Sequence, residues 1–355
     1  MNVDFILVGQ GICGTMMYRF LKQAGYSIIV IDQPKNNTAS KVAAGVINPV
    51  TGRRIVKTWL IDEVMPFAKD IYGKISEELK IKAISEASII DFFPTPQITE
   101  AFKKRYQQDT EYLSFPSDPG KWSGLINYEF GYGEITPAFL VNLPDLLDSY
   151  RTRIAEESNI VEENFDHQKL GLLPGGVKYG DITARQIIFC DGISGTQNPY
   201  FSNLPFAPNK GEAVLVQIDD LSPAHIYKKG FNLVPWKNNI FWLGSNYLWE
   251  FEDDTPTPGF YRFAENWLKQ TLKIPFTIID HLAGIRPATL ERRPFVGFHP
   301  IHEQVGIFNG MGAKGCSLAP FFANQFVNSI VSGAGLSKDA DVKRFSRILS
   351  RKLEL

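Results

Sequence analysis

Three glycines within six residues, in Gly9-Gln10-Gly11-Ile12-Cys13-Gly14, carry the clearest chemical signal in this chain. Glycine at the first position admits a tight turn. At the second it lets backbone approach a pyrophosphate, and at the third it lets a helix pack closely on a strand. A pyrophosphate placed there meets unpaired N–H groups at the positive end of the helix that follows, with Ile12 and Cys13 in the turn beside it. Asp32, about twenty residues on, is placed to accept a hydrogen bond from a ribose 2′-OH, with Gln33 beside it. Chemistry of other kinds finds little support. Cys13, Cys190 and Cys316 are far apart and have no nearby histidine, which argues against a disulfide framework or a zinc site. His167, His225, His281, His299 and His302 are scattered, and His281 reads as a capping or core residue.

Glycine spacing acquires meaning only from the elements around it. Asp4 to Val8 reads as a buried strand, Met16 to Ala24 as a helix, and Ser27 to Ile31 as a second, β-branched strand that ends at the acid. Two further strand-like runs end in polar, glycine-bearing turns. Gln186 to Phe189 leads into Cys190-Asp191-Gly192-Ile193-Ser194-Gly195, and Val305 to Phe308 leads into Asn309-Gly310-Met311-Gly312-Ala313-Lys314-Gly315. Cys316 to Val331 follows as an apolar helix. Between these lie an aromatic and proline-rich stretch, Ile90 to Tyr132, and a strand-rich one, Gly211 to Tyr247.

The predicted fold class is α/β. A Rossmann-like nucleotide domain is assembled from three segments, 1–85, 145–205 and 281–355, and a β-rich domain from 86–144 and 206–280. The basic C-terminal twenty residues read as an amphipathic surface helix.

With 44% hydrophobic and 21% charged residues among 355, the chain has the composition of an ordinary soluble globular protein. A formal net charge of −1 gives no overall case for binding nucleic acid or an anionic membrane. No run of about 18 apolar residues appears, and the first strand starts without a basic leader. The expectation is a cytoplasmic protein that acts on a small molecule; its oligomeric state is not legible.

The glycine fingerprint leaves NAD and FAD open. The small-residue stretch Thr38 to Pro49, with Ala43-Ala44-Gly45 at its centre, would let backbone pass a large flat ligand. The turn containing Gly312, Ala313, Lys314, Gly315 and Cys316 opens a second helix, whose N-terminus offers N–H groups and partial positive charge. A flavin that takes up electrons gathers negative charge on its pyrimidine edge, so this device suits FAD.

With these segments in place, the chain resembles the D-amino-acid oxidase family of FAD-dependent oxidoreductases, whose members include glycine and sarcosine oxidases. The resemblance spans essentially the whole sequence. Gly9, Gly11, Gly14, Asp32, Ala43-Ala44-Gly45 and Lys210-Gly211-Glu212 carry it in the first part. Gly284-Ile285-Arg286-Pro287, Phe295-Val296-Gly297 and the Gly310–Gly315 turn complete it. It implies FAD extended across the first domain, with Val161, Cys190, Asp191 and Gly192 among its contacts, and a second domain that covers the ring.

The resemblance also implies catalytic roles. Arg286 would hold the substrate carboxylate beside the cofactor, since a guanidinium is a two-toothed fork for that group. Lys314 matches a lysine near flavin and substrate, Tyr247 is the candidate pocket tyrosine, and Arg53, Arg54 and Lys57 are basic residues near the flavin face. No cysteine lies between Arg286 and Phe295, so the FAD is expected to be non-covalent. The implied reaction is oxidation of the C–N bond of a small amino acid or secondary amine to an imine, with O2 as acceptor. Two alternatives stay open: a flavin dehydrogenase of 2-hydroxy acids that feeds a quinone or carrier, and a tRNA-modifying flavoprotein.

Overall fold

The computed structural model describes residues 1–351, and they divide into two compact units. Among the described residues the first unit comprises 1–43, 143–209 and 285–351; the second comprises 44–142 and 210–284. Residues 44–85, grouped with the nucleotide domain on sequence, therefore belong to the second unit. The physical reason is strand pairing. Val46 and Ile47 pair with Leu140 and Phe139, so the chain changes unit well before its composition does.

The first unit is built on parallel pairing. The strand Asn2–Val8 pairs with Ile28–Ile31 on one side and with Ile182–Phe189 on the other. Val305–Asn309 pairs parallel with the end of Ile182–Phe189, and Ile160–Val161 with the end of Ile28–Ile31. Strands buried on both faces must be apolar throughout, which explains the uninterrupted runs FILV and IIVI. Phe5, Ile6, Leu7, Ile28, Ile29, Val30, Ile187, Phe189 and Ile307 are all buried. The helices Ile12–Gln23 and Gly315–Ser332 follow glycine turns directly. Met16, Met17, Leu21, Phe322 and Phe326 are the buried anchors of these two helices.

The second unit holds a nine-stranded sheet with largely antiparallel neighbours. Asn209–Gln217, Phe231–Lys237 and Ile240–Gly244 supply the runs expected between Gly211 and Tyr247. The helix Pro258–Thr271 lays Phe260, Ala264, Leu268 and Thr271 into the core at helical spacing. Its N-cap is Thr257, whose hydroxyl accepts the N–H of Phe260.

At the C-terminus the structure departs from the expected amphipathic helix. Val342–Phe345 is a 3-10 turn and Ser346–Leu349 a four-residue helix, while residues 352–355 lie outside the described set. Val342 and Leu349 are buried against the first unit's core, so this segment is anchored by packing and not by helical length.

Gly45 has a φ of +76°, and a Cβ there would lie 2.0 Å from the Val141 carbonyl oxygen. The conformation alone costs a non-glycine residue roughly 1–3 kcal/mol. Gly45→Ala is therefore expected to lower the midpoint of urea unfolding. An unchanged or higher midpoint would contradict this account of the strand contact.

Candidate functional site

Nucleotide-binding character comes from backbone proximity in the first unit. Gly9 ends the first strand at a φ of +95°, and a Cβ there would meet the Cys190 carbonyl oxygen at 2.6 Å. A Cβ on Gly14 would stand 1.8 Å from the Gly9 carbonyl oxygen. Hydrogen bonds Gly9 N–H to Ile31 O (2.9 Å) and Cys190 N–H to Val8 O (2.8 Å) lock the three strand ends together. Gly11 caps the first helix, and a Cβ there would stand 3.1 Å from Ser40 Oγ. Ser40 Oγ accepts the N–H of Ile12 at 3.1 Å.

Asp32 follows the second strand and takes the N–H of Gln10 on Oδ1 at 2.9 Å. Its Oδ2 accepts from Arg151 Nη1 at 2.7 Å. Asp32 N–H donates to Val161 O, and Gln33 is exposed in the loop that follows. No signal in the sequence singles out Arg151. It sits mid-helix between Tyr150 and Thr152, where nothing separates it from a residue on a solvated face.

The turn after Cys190 is tied to the one after Asn309. A Cβ on Gly195 would stand 2.7 Å from Asn309 Nδ2 and 3.0 Å from Asp191 Oδ1. Asn309 Nδ2 donates to Asp191 Oδ1 (2.9 Å) and to Gly192 O (2.8 Å), and Asn198 Nδ2 donates to Asp191 Oδ2 (3.2 Å). Asn309 thereby joins the turn at its own strand end to the one at Cys190. Desolvation pushes the Asp191 carboxyl up to about 6 even though these amides favour its charge. Burial pushes the Cys13 thiol up to about 12, with Asp191 adding to the effect, and pushes Cys190 well above its ordinary value. Both thiols remain protonated at neutral pH.

The turn Gly312–Lys314 opens the helix Gly315–Ser332, and Gly315 packs beside Ile12, so both helix starts meet in one unit. Lys314 is half-buried. Burial, with Arg293 and Arg292 nearby, lowers its pKa, which marks a cation with positive neighbours. Arg286 is half-buried and donates from Nη1 to Asn209 Oδ1 at 2.7 Å. Two residues on, Ala288 lies against Gly312. The structure thus gathers Gly9, Gly11, Ile12, Cys13, Gly14, Asp32, Cys190, Asp191 and Gly192 with Arg286 and the 312–316 segment in the first unit. Ala43 closes the short helix Ala39–Val42 there.

Ala44, Gly45 and Tyr247 belong to the second unit. Tyr247 is 56% exposed. Arg53 and Arg54 are exposed on the hairpin turn between Val50–Thr51 and Val56–Lys57. Lys57 donates to Glu111 and, at 3.2 Å, to Asp62, so acidic partners surround its ammonium. His281 stacks near Phe260 with Nε2 3.2 Å from Glu212 Oε2; burial lowers its pKa more than the acid raises it.

These features define a dinucleotide-binding unit whose donor set fits FAD. Backbone turns freed of Cβ atoms would hold the pyrophosphate, a carboxylate at the second strand end would meet the ribose, and a second helix start would face the flavin. The chain belongs to the family described as FAD dependent oxidoreductase (DAO), which it matches over residues 4–328. It is 21% identical over 343 residues to glycine oxidase of Pseudomonas aeruginosa, covering 90% of this chain and 92% of the relative. Its fold is similar to glycine oxidase from Bacillus cereus ATCC 14579, with a TM-score of 0.80, 18% identity and coverage of 99% and 100%. Iminodiacetate oxidase from Chelativorans sp. BNC1 gives a TM-score of 0.75 at 19% identity, covering 95% and 98%. The expected α/β fold and FAD-dependent oxidoreductase class thus hold. Among the described residues no helix is long and apolar enough to cross a membrane, and no cluster of His, Cys, Asp and Glu could hold a metal.

Asp191 makes stability depend on pH. Its folded pKa is raised, so the native state holds an extra proton between about pH 4 and 6, and stability falls as pH rises through that window. Asp191→Asn removes the titration. The stability of wild-type apo-protein relative to this variant should decline by up to about 2 kcal/mol between pH 4 and 7. A pH-independent difference between the two would refute the assignment.

Proposed function

We propose that this enzyme oxidises the C–N bond of a small amino acid or secondary amine to an imine, using non-covalently bound FAD and O2. When bound, FAD would supply the acceptor for a hydride, which carries both electrons, from the carbon next to nitrogen, and O2 would take those two electrons on as hydrogen peroxide. The substrate nitrogen gives up a proton to solvent. The first unit would hold the cofactor. Three free cysteines suit a reduced, cytoplasmic setting.

The observation that supports this reading most is Arg286. Its guanidinium is half-buried, oriented by the neutral amide oxygen of Asn209, and carried on a segment packed against Gly312. Pro287 stiffens the backbone beside it, so the fork can be aimed at a carboxylate. With the carboxylate held, the reactive C–H is positioned, and orientation supplies much of the rate. Lys314, a cation with positive neighbours, would favour negative charge accumulating nearby. Such chemistry asks for no histidine base, because a neutral amine needs only to be bound and aligned.

Matched ligands test this. Wild type should bind an amino acid more tightly than its amide, and Arg286→Ala should lose that preference at a cost of roughly 2–5 kcal/mol for the acid. Arg286→Lys should restore only part, because an ammonium cannot make the two-toothed contact. Equal losses for acid and amide would make Arg286 structural and remove the main support for an amino-acid substrate.

A further inference from the structure

We propose that Arg151 is the positioning residue for the ribose end of the cofactor site: it holds Asp32 so that the carboxylate keeps one acceptor site on each oxygen for a vicinal diol. The inference rests on the reading of Asp32 as the ribose-facing acid.

Arg151 projects from the helix Leu143–Glu156, which lies outside the glycine fingerprint. Every N–H of its guanidinium has an acceptor. Nε donates to Glu162 Oε1 at 3.1 Å. Nη1 donates to Asp32 Oδ2 at 2.7 Å and to Gln10 Oε1 at 3.2 Å. Nη2 donates to Glu162 Oε1 at 2.7 Å and to the Asp32 carbonyl oxygen at 3.4 Å. Gln10 is held in turn, since its Nε2 donates to Leu147 O at 3.0 Å and to Thr15 Oγ1 at 3.3 Å. One side chain therefore ties a helix, the glycine turn and the end of the second strand into a single polar frame.

The consequence for Asp32 is a matter of valence. A carboxylate offers about four acceptor positions, two on each oxygen. Gln10 N–H occupies one on Oδ1 and Arg151 one on Oδ2, which leaves one on each. The side chain is 22% exposed, so these positions remain reachable. Two hydroxyls on adjacent carbons match that pair, whereas a 2′-phosphate would meet the carboxylate's charge with no spare guanidinium N–H to receive it. Lysine could not reproduce the frame, because its three donors radiate from one atom.

The test is a double-mutant cycle on FAD affinity, with full-length wild type, Arg151→Met, Arg151→Lys, Asp32→Asn and Asp32→Asn/Arg151→Met. Arg151→Met should weaken FAD by about tenfold or more, Arg151→Lys should recover little, and Arg151→Met should have almost no further effect once Asp32 is Asn. A second readout uses ADP and 2′-deoxy-ADP as competitors of FAD. Wild type should favour ADP, and Arg151→Met should narrow that ratio, which a general loss of stability would leave unchanged. If Asp32→Asn weakens FAD while Arg151→Met does not, or the two effects simply add, Arg151 is only a structural ion pair and the proposal is overturned. If Asp32→Asn leaves both FAD affinity and the ADP ratio unchanged, the ribose reading of Asp32 fails, and the role of Arg151 falls with it.

Discussion

Backbone-to-backbone contact where the first strand turns into the first helix is the constraint on which the rest of the candidate site depends. Gly9 passes against the Cys190 carbonyl and Gly14 against the carbonyl of Gly9, at distances no side chain could share. That closeness sets the first helix directly over the strand ends, so its leading N–H groups open where the parallel sheet terminates. It also fixes how near the Cys190 turn can come, and through Asn309 the position of the second glycine turn. A larger residue at either position would separate these ends and disperse the donors. Core packing of the buried strands sustains the closeness, since their pairing registers leave the turns little freedom.

Charge is distributed unevenly over this frame, in keeping with an anionic ligand. At the second strand end Asp32 is balanced by Arg151, itself shared with Glu162. At the Cys190 turn Asp191 is met by amides from Asn198 and Asn309, and desolvation raises its pKa. At the second helix start the charge is positive, with Lys314 near Arg292 and Arg293. The cation with positive neighbours at the second helix start lowers the cost of admitting negative charge there.

Much of the nucleotide unit is legible in the sequence because its demands fall on residue types with narrow roles. Glycines at fixed spacing, uninterrupted β-branched strands and an acid at a strand end are each required by few arrangements besides this one. Arg151, Ser40 and Asn198 are harder to see, since their importance comes from partners distant in the chain and no local pattern marks them. The unit boundary falls after Ala43, earlier than composition suggests, because strand pairing between Val46 and Leu140 decides it and composition does not register pairing. Charge pattern likewise suggests a helix at the C-terminus, whereas buried Val342 and Leu349 hold a shorter, tighter segment in place. The basic residues Arg53, Arg54 and Lys57 look alike in sequence. The structure separates them, with Lys57 committed to Asp62 and Glu111 on the second unit and the two arginines exposed.

The central claim is that this FAD-dependent framework serves oxidation of a carboxylate-bearing amine. Anaerobic mixing of the holoenzyme with glycine, N-substituted glycines, glycinamide and glycolate, followed by the flavin's visible absorbance, tests it most directly. The account predicts bleaching by at least one of the amino acids and little or none by the amide or the hydroxy acid. Bleaching by glycolate alone, or by amide and acid equally, would contradict it.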